Sequence, residues 1–239
     1  MIRQTKKGSM YCYLAVMSVL LLSLSACNQL LPDDDYNDPL SHDNLYYDAS
    51  AGTLTFHAIY HATPATAGTW HLIVHKDGSN KDISMFTTGV SPHQFYQGLL
   101  KLGAAAGNNV TGDNYGDQGT YTKGTVLEAS ITWSGAVKTY PLNEFLQEKI
   151  PAGSETQANV GLEIRFGGNR ATEDTASPPS DSTGCLMCLY SCPAGVSSNA
   201  KANNFQLATL DGGAWRYFAN PSVAPLDGTP VTITVKVVN

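Results

Sequence analysis

Short runs of β-forming residues, one of them alternating apolar with polar positions, dominate the chain and predict strands rather than long helices. Thr53 to Tyr60 is rich in β-branched and aromatic residues. In Thr69 to His75, Trp70, Leu72 and Val74 alternate with His71, Ile73 and His75. Lys76, Asp77 and Gly78 then turn the chain, and Ile83 to Thr88 reads as the returning strand. Further strands are expected at Thr125 to Trp133, Val137 to Tyr140, Val160 to Phe166, Trp215 to Phe218 and Val231 to Val238. Ser134 and Gly135 suit a tight turn between two of them. One helix is well marked. Ser91 fits an N-cap, Pro92 the first helical position and Gln94 the capping-box position, while Phe95, Leu99 and Leu102 recur at helical spacing and Gly103 ends the run. A second short helix is expected from Leu142 to Glu148, burying Leu142, Phe145 and Leu146. Thr172 to Thr183 is polar and proline-bearing and reads as an exposed loop. The pattern predicts an α+β fold: a single, mostly antiparallel β domain with one or two short helices packed on the sheet.

The N-terminus breaks this pattern. Arg3, Lys6 and Lys7 precede an uncharged run from Tyr11 to Leu24, too short for the ~20 residues of a spanning helix. Small residues follow, and together these features describe a secretory signal. Leu24-Ser25-Ala26-Cys27 resembles the lipobox of bacterial lipoproteins. That resemblance implies cleavage before Cys27, diacylation of its thiol and acylation of the new amine. Several acyl chains give stable anchoring to a membrane. The expected location is the bacterial cell envelope, facing the periplasm. Asn28 rather than Asp favours the outer membrane over the inner. No Arg-Arg pair precedes the apolar run, so the chain is expected to cross unfolded. The expected organisation is a signal peptide at 1–26, a tether at 27–43 and one domain at 44–239. The tether carries Asp33, Asp34, Asp35, Asp38 and Asp43 with Pro32 and Pro39, an acidic, extended segment.

Removing the signal changes the charge. The 239 residues hold 14 Lys and Arg against 20 Asp and Glu. Three of those cations leave with the signal, so the mature chain has a net charge of −9. Such a chain does not track nucleic-acid phosphates, which requires clustered cations.

Of five cysteines, Cys12 leaves with the signal and Cys27 takes the lipid. Cys185, Cys188 and Cys192 remain, in the run C-x2-C-x3-C-P that ends at Pro193. Three thiols cannot all pair within one chain. The spacing equals the last three cysteines of the bacterial ferredoxin run, with Ser182 where the first would stand. A [4Fe–4S] cluster usually takes four thiolates, and its assembly is cytoplasmic, whereas three thiolates with a His, a carboxylate or water also suit Zn²⁺ or Cu(I). An oxidising compartment allows a redox dithiol, or one local disulfide with a spare thiol. Leu186, Met187 and Leu189 read as core.

The segments Trp70 to Gly78, Pro92 to Gly107, Phe166 to Asn169, Thr183 to Gly195 and Asp227 to Pro230 together resemble the YdjY-like family of bacterial proteins, whose members are often labelled ferredoxins. The resemblance covers residues 55 to 238. It implies a cysteine-based site at Cys185, Cys188 and Cys192, with an iron–sulfur cluster as the candidate cofactor, and no defined reaction.

Other residues offer less. His57 and His61, like His71 and His75, are four apart, but on strands that spacing separates the rings by ~13 Å. They read as sheet-surface histidines. His93 is expected to be exposed, and His42 lies in the tether. Gly167-Gly168-Asn169 lacks both P-loop and dinucleotide patterns and reads as a turn. Asp113, Asn114 and Asp117 form a polar loop without EF-hand spacing, and Glu128 and Glu163 read as solvated. Three functional readings follow. The first is a lipid-anchored metal, iron–sulfur or redox protein within reach of a membrane-bound redox partner. The second is a non-catalytic binding or envelope-assembly module whose cysteines are structural. A cysteine-nucleophile enzyme stands third, and an electron-transfer or binding protein is favoured over a turnover enzyme.

Overall fold

In a computed structural model, residues 29–30, 45–149, 161–169, 183–209 and 215–238 are described. The signal, Cys27, most of the tether and nearly all of the 172–183 loop lie outside them.

The strands are β1 (Gln29–Leu30), β2 (Tyr46–Asp48), β3 (Thr53–Tyr60), β4 (His71–His75), β5 (Ser84–Thr88), β6 (Val126–Trp133), β7 (Tyr140–Pro141), β8 (Leu146–Lys149), β9 (Ile164–Arg165), β10 (Cys185–Cys188), β11 (Ser197–Asn199), β12 (Arg216–Ala219) and β13 (Pro230–Val238). Eight of them close on themselves. The order runs β3, β13, β6, β9, β11, β10, β4 and β5, and β5 returns to β3 through Ile59 opposite Thr87 and Tyr60 opposite Phe86. The expected α+β layering is therefore corrected. The chain is mostly β and forms a closed eight-strand barrel with a few short helices, not helices laid on an open sheet. Closure removes the two exposed edges that an open sheet would carry.

Local pattern and long-range pairing divide the work. β3 forms where its β-forming residues placed it, and it alternates, with Leu54, Phe56, Ala58 and Tyr60 buried and His57 exposed. β13 buries Val231, Ile233, Val235 and Val237, and pairs antiparallel with both β3 and β6. β5, read as the returning strand, instead runs parallel to β4, with His71 opposite Ser84 and His75 opposite Thr88. Turn chemistry alone could not reveal this, because the chain reverses twice between the strands, the second time through a 3-10 turn at Lys81–Ile83.

The helices are α1 (Ala62–Ala67), α2 (Pro92–Lys101), α3 (Leu142–Phe145) and α4 (Asn204–Thr209). α2 forms as its caps dictate. Ser91 Oγ accepts from the Gln94 N–H at 3.1 Å, and Gln94 Oε1 accepts from the Ser91 N–H at 2.8 Å. Phe95 and Leu99 are buried, whereas Leu102 is only half-buried. Phe95 meets Phe56, an inward-facing barrel residue, edge to face at 5.9 Å. A Cβ on Gly98 would stand 3.0 Å from Leu45 and Leu54 side-chain atoms, so α2 fits against the barrel interior with no space to spare. The second predicted helix is cut to Leu142–Phe145. From Leu146 the chain is extended as β8 and pairs with β12 in a separate two-stranded sheet. Backbone pairing there satisfies groups that another helical turn would have bonded internally.

Candidate metal centre

β10 is a barrel strand between β4 and β11, antiparallel to the first and parallel to the second. In a regular strand, residues three apart point to opposite faces. Here the register against β4 is irregular: Cys185 lies opposite Val74, Met187 opposite Ile73 and Cys188 opposite His71. The irregularity sends Leu186 and Met187 into the main core, and turns Cys185 and Cys188 into a second buried cluster with Val74 and Cys192. Cys185 to Cys188, which none of the expected strands covered, form part of the barrel wall. Leu186, Met187 and Leu189 are core, as their sequence suggested.

Cys192 reaches the same cluster because β11 is parallel to β10. The segment between them must travel back along β10, and it carries Cys192 over Cys188. Val196 N–H bonds to the Cys185 carbonyl at 3.2 Å on the way. Gly195 makes this return possible, since a Cβ there would stand 2.8 Å from Cys188 Sγ. The Asn169 amide donates to the Cys192 carbonyl at 3.0 Å and fixes the turn. Gly78 and Gly184 allow the turn after β4 to touch the backbone before β10, with a Cβ on Gly78 only 2.6 Å from the Thr183 carbonyl.

The ligand atoms of His71, Cys185 and Cys188 lie within 4.8 Å of one another. His71 Nδ1 is 3.5 Å from Cys185 Sγ, and Asn80 Nδ2 donates to the same sulfur at 3.8 Å. Cys192 belongs to the same buried cluster but not to this group of three. Ala194 N–H reaches Cys192 Sγ at 3.4 Å. Cys185 and Cys188 are 0% exposed and Cys192 is 4% exposed, and all three are free thiols.

The electrostatics follow from this chain of sulfurs. Hydrogen bonding from Cys188 holds Cys185 well below the ordinary thiol value; burial opposes it, while His71 and Asn80 reinforce it. Cys192 is lowered too, first by Cys188, against burial and the charge of Cys185, with help from Ala194 and Tyr190. Cys188, donor to both neighbours and buried, is raised well above that value. Burial would lower His71, but the hydrogen bond and charge of Cys185, with Cys192, raise it. Tyr190 is raised by burial and then by the cysteine charges. The constellation thus stabilises thiolates at its two ends.

Among the described residues, one histidine joins the cysteines. His71, read as a sheet-surface residue, is that one, and its partner thiol Cys185 lies 114 positions away. His57 is exposed, and His61 Nε2 bonds to Thr87 Oγ1 at 2.8 Å. His75 is buried beside Asp77. His93 is half-buried rather than exposed. Asn114 accepts from the Thr111 N–H and donates to the Asn109 carbonyl, which makes its segment the expected polar loop. Glu163 is ion-paired to Arg165 at 2.6 Å and Lys201 at 3.3 Å. Asn80, Asn169 and Tyr190 were not singled out by sequence. Asn169 lay inside the Gly-Gly-Asn segment, and Tyr190 inside the cysteine run.

The model of the YdjY domain matches residues 45–236, which take in the cysteine run and all of the barrel but the last two residues of β13. The chain belongs to the YdjY family. It is 34% identical over 236 residues to the Uncharacterized protein YdjY of Escherichia coli (strain K12), a match covering 97% of this chain and 95% of that relative. No solved structure matches it at a significant level. Within the YdjY domain, the described residues hold one group of Cys and His side chains close enough to share an ion, the one on β4 and β10.

Proposed function

We propose that this YdjY-family protein is a lipid-anchored envelope protein whose barrel wall carries a single-ion metal–thiolate centre. Cys185, Cys188, Cys192 and His71 supply the ligands. The observation that carries the reading is the convergence of His71, Cys185 and Cys188 ligand atoms within 4.8 Å, backed by a third thiol, Cys192, in the same buried cluster. Cys₃His is a complete structural donor set for a tetrahedral ion, whose Zn–S bonds near 2.3 Å place thiolates ~3.8 Å apart. Cys192 stands outside the group of three and would complete the set by turning toward it. In a [4Fe–4S] cluster each thiolate binds a different iron, so its ligands stand farther apart than those of one ion. The compact spacing therefore supports a mononuclear centre over a cluster. Burial of Cys185 weighs against its use as a nucleophile, although its lowered pKa beside His71 is what such chemistry needs.

The test is metal analysis of protein purified from its own envelope without reductant or chelator. About one metal per chain is expected, falling in each of Cys185→Ser, Cys188→Ser and Cys192→Ser. A broad visible band with several irons per chain would replace the single ion with a cluster. Metal-free protein with a stable disulfide among these residues would favour a binding or envelope-assembly module with structural cysteines. The anchor is tested separately: Cys27→Ala abolishes incorporation of labelled fatty acid, and incorporation that survives refutes it.

A further inference from the structure

Three of the four donors are sealed and one is not. Cys185, Cys188 and Cys192 have at most 4% of their surface exposed, whereas His71, the first residue of β4, is half-buried. Behind the thiols lie Val74 and the close-packed Gly195. Of the four donor residues, His71 has the most exposed surface.

The charge of the set limits the ion. Three thiolates bring three negative charges into a buried cluster. Besides His71, the groups that donate to them are the Asn80 amide, the Ala194 N–H and the Tyr190 hydroxyl, all neutral. A divalent ion leaves one net negative charge for these donors to spread. A monovalent ion such as Cu(I) leaves two, and uncompensated buried charge is costly. The S₃N set also matches the tetrahedral preference of the zinc class. Three thiolates alone leave such an ion one ligand short, and the missing position falls on the side of His71.

We propose that the centre takes a tetrahedral divalent ion of the zinc class, with His71 as its exchangeable ligand. This rests on the metal–thiolate reading above. The ion enters and leaves past the imidazole, and is handed to an incoming nitrogen or sulfur donor at that position. The step is a ligand substitution without redox change. The bond from the ion to His71 Nδ1 breaks, its electron pair stays on the ring, and a bond to the incoming donor forms; an incoming thiol gives its proton to solvent.

The experiment uses the mature chain loaded with Co²⁺ for spectroscopy and Zn²⁺ for transfer to a chromogenic chelator. Wild type should show thiolate-to-cobalt charge transfer and tetrahedral ligand-field bands. His71→Ala should keep the charge-transfer bands, shift the ligand-field bands and pass zinc to the chelator on the order of 10–100-fold faster. Free imidazole should restore the spectrum and slow the transfer. His71→Asn, closer in size, is run beside it so that packing loss is separated from ligand loss. Cys192→Ser should lose charge-transfer intensity, and imidazole should not restore it. Unchanged transfer and spectrum in both His71 variants, or no response to imidazole, overturns the role of His71. Cu(I) binding without a tetrahedral cobalt spectrum overturns the ion class. Wild type that binds no metal ion overturns instead the metal reading on which both depend.

Discussion

Gly195→Ala probes how tightly the returning segment is pressed on the sulfurs. The backbone of Gly195 is not among those with positive φ, so alanine meets no conformational penalty there. The cost is steric. The new Cβ would stand 2.8 Å from Cys188 Sγ, 3.0 Å from the Ser197 carbonyl and 3.4 Å from Cys188 Cβ. Restoring ordinary contact requires the sulfur or the segment to withdraw by ~1 Å, in a wall with little free volume. Overpacking of this kind costs about 1–3 kcal/mol. If the thiol yields, that strain falls on its position as a ligand, and zinc affinity drops about 5- to 150-fold. The assay pairs zinc competition, on the chain with Cys188 intact, with denaturant unfolding of the metal-free protein, the unfolding repeated in a Cys188→Ala background. Without Sγ the closest contact is gone, so the unfolding penalty of Gly195→Ala should shrink by ~1 kcal/mol or more. An equal penalty in both backgrounds would refute the reasoning and assign the strain to the Ser197 carbonyl.

Leu99→Ala empties a fully buried position on α2 and should cost ~2–5 kcal/mol in denaturant unfolding, and a loss well below that range would mean the helix does not pack as described. Asn169→Ala strips the buried Cys192 carbonyl of its donor and should cost ~1–3 kcal/mol. An unchanged unfolding midpoint would show that the turn holds itself. Hydrogen bonding to Arg165, with Lys201, keeps the Glu163 carboxyl below its ordinary value against the opposing effect of burial. A depressed folded value means that stability is present above the unfolded pKa and is lost as pH falls through the folded one. Glu163→Gln should therefore flatten the decline in Tm between about pH 5 and pH 3, and an unaltered decline would contradict the pairing.

What the sequence made legible was local. The capping box of α2 and the β-forming runs of β3 and β13 are written in neighbouring residues, and each element forms where they placed it. Barrel closure was not legible, because the β3–β5 seam rests on two residue pairs and on a parallel β4–β5 arrangement that no turn residue encodes. Leu142 to Glu148 carried helical spacing, but pairing with β12 overrode it after one turn. The cysteines identified a site by composition alone. Their place in the wall depends on a register shift against β4, and the inclusion of His71 depends on which strand lies beside β10. Both are long-range facts, invisible to a reading in which each strand is considered by itself.

The separation of His71 from Cys185 by 114 positions also orders events in time. Contacts so distant in sequence form late, after loop closure has been overcome. A chain emerging unfolded from a membrane would present its three thiols together, within one short stretch, well before β4 and β10 meet. If the chain is exported as proposed, the thiols would be exposed during that interval to any oxidant in the compartment, and disulfide exchange would compete with docking of β10. Folding speed across the β4–β10 seam thus sets how long the sulfurs remain unprotected. A variant slowed at that seam would reach the same barrel with more of its thiols already oxidised.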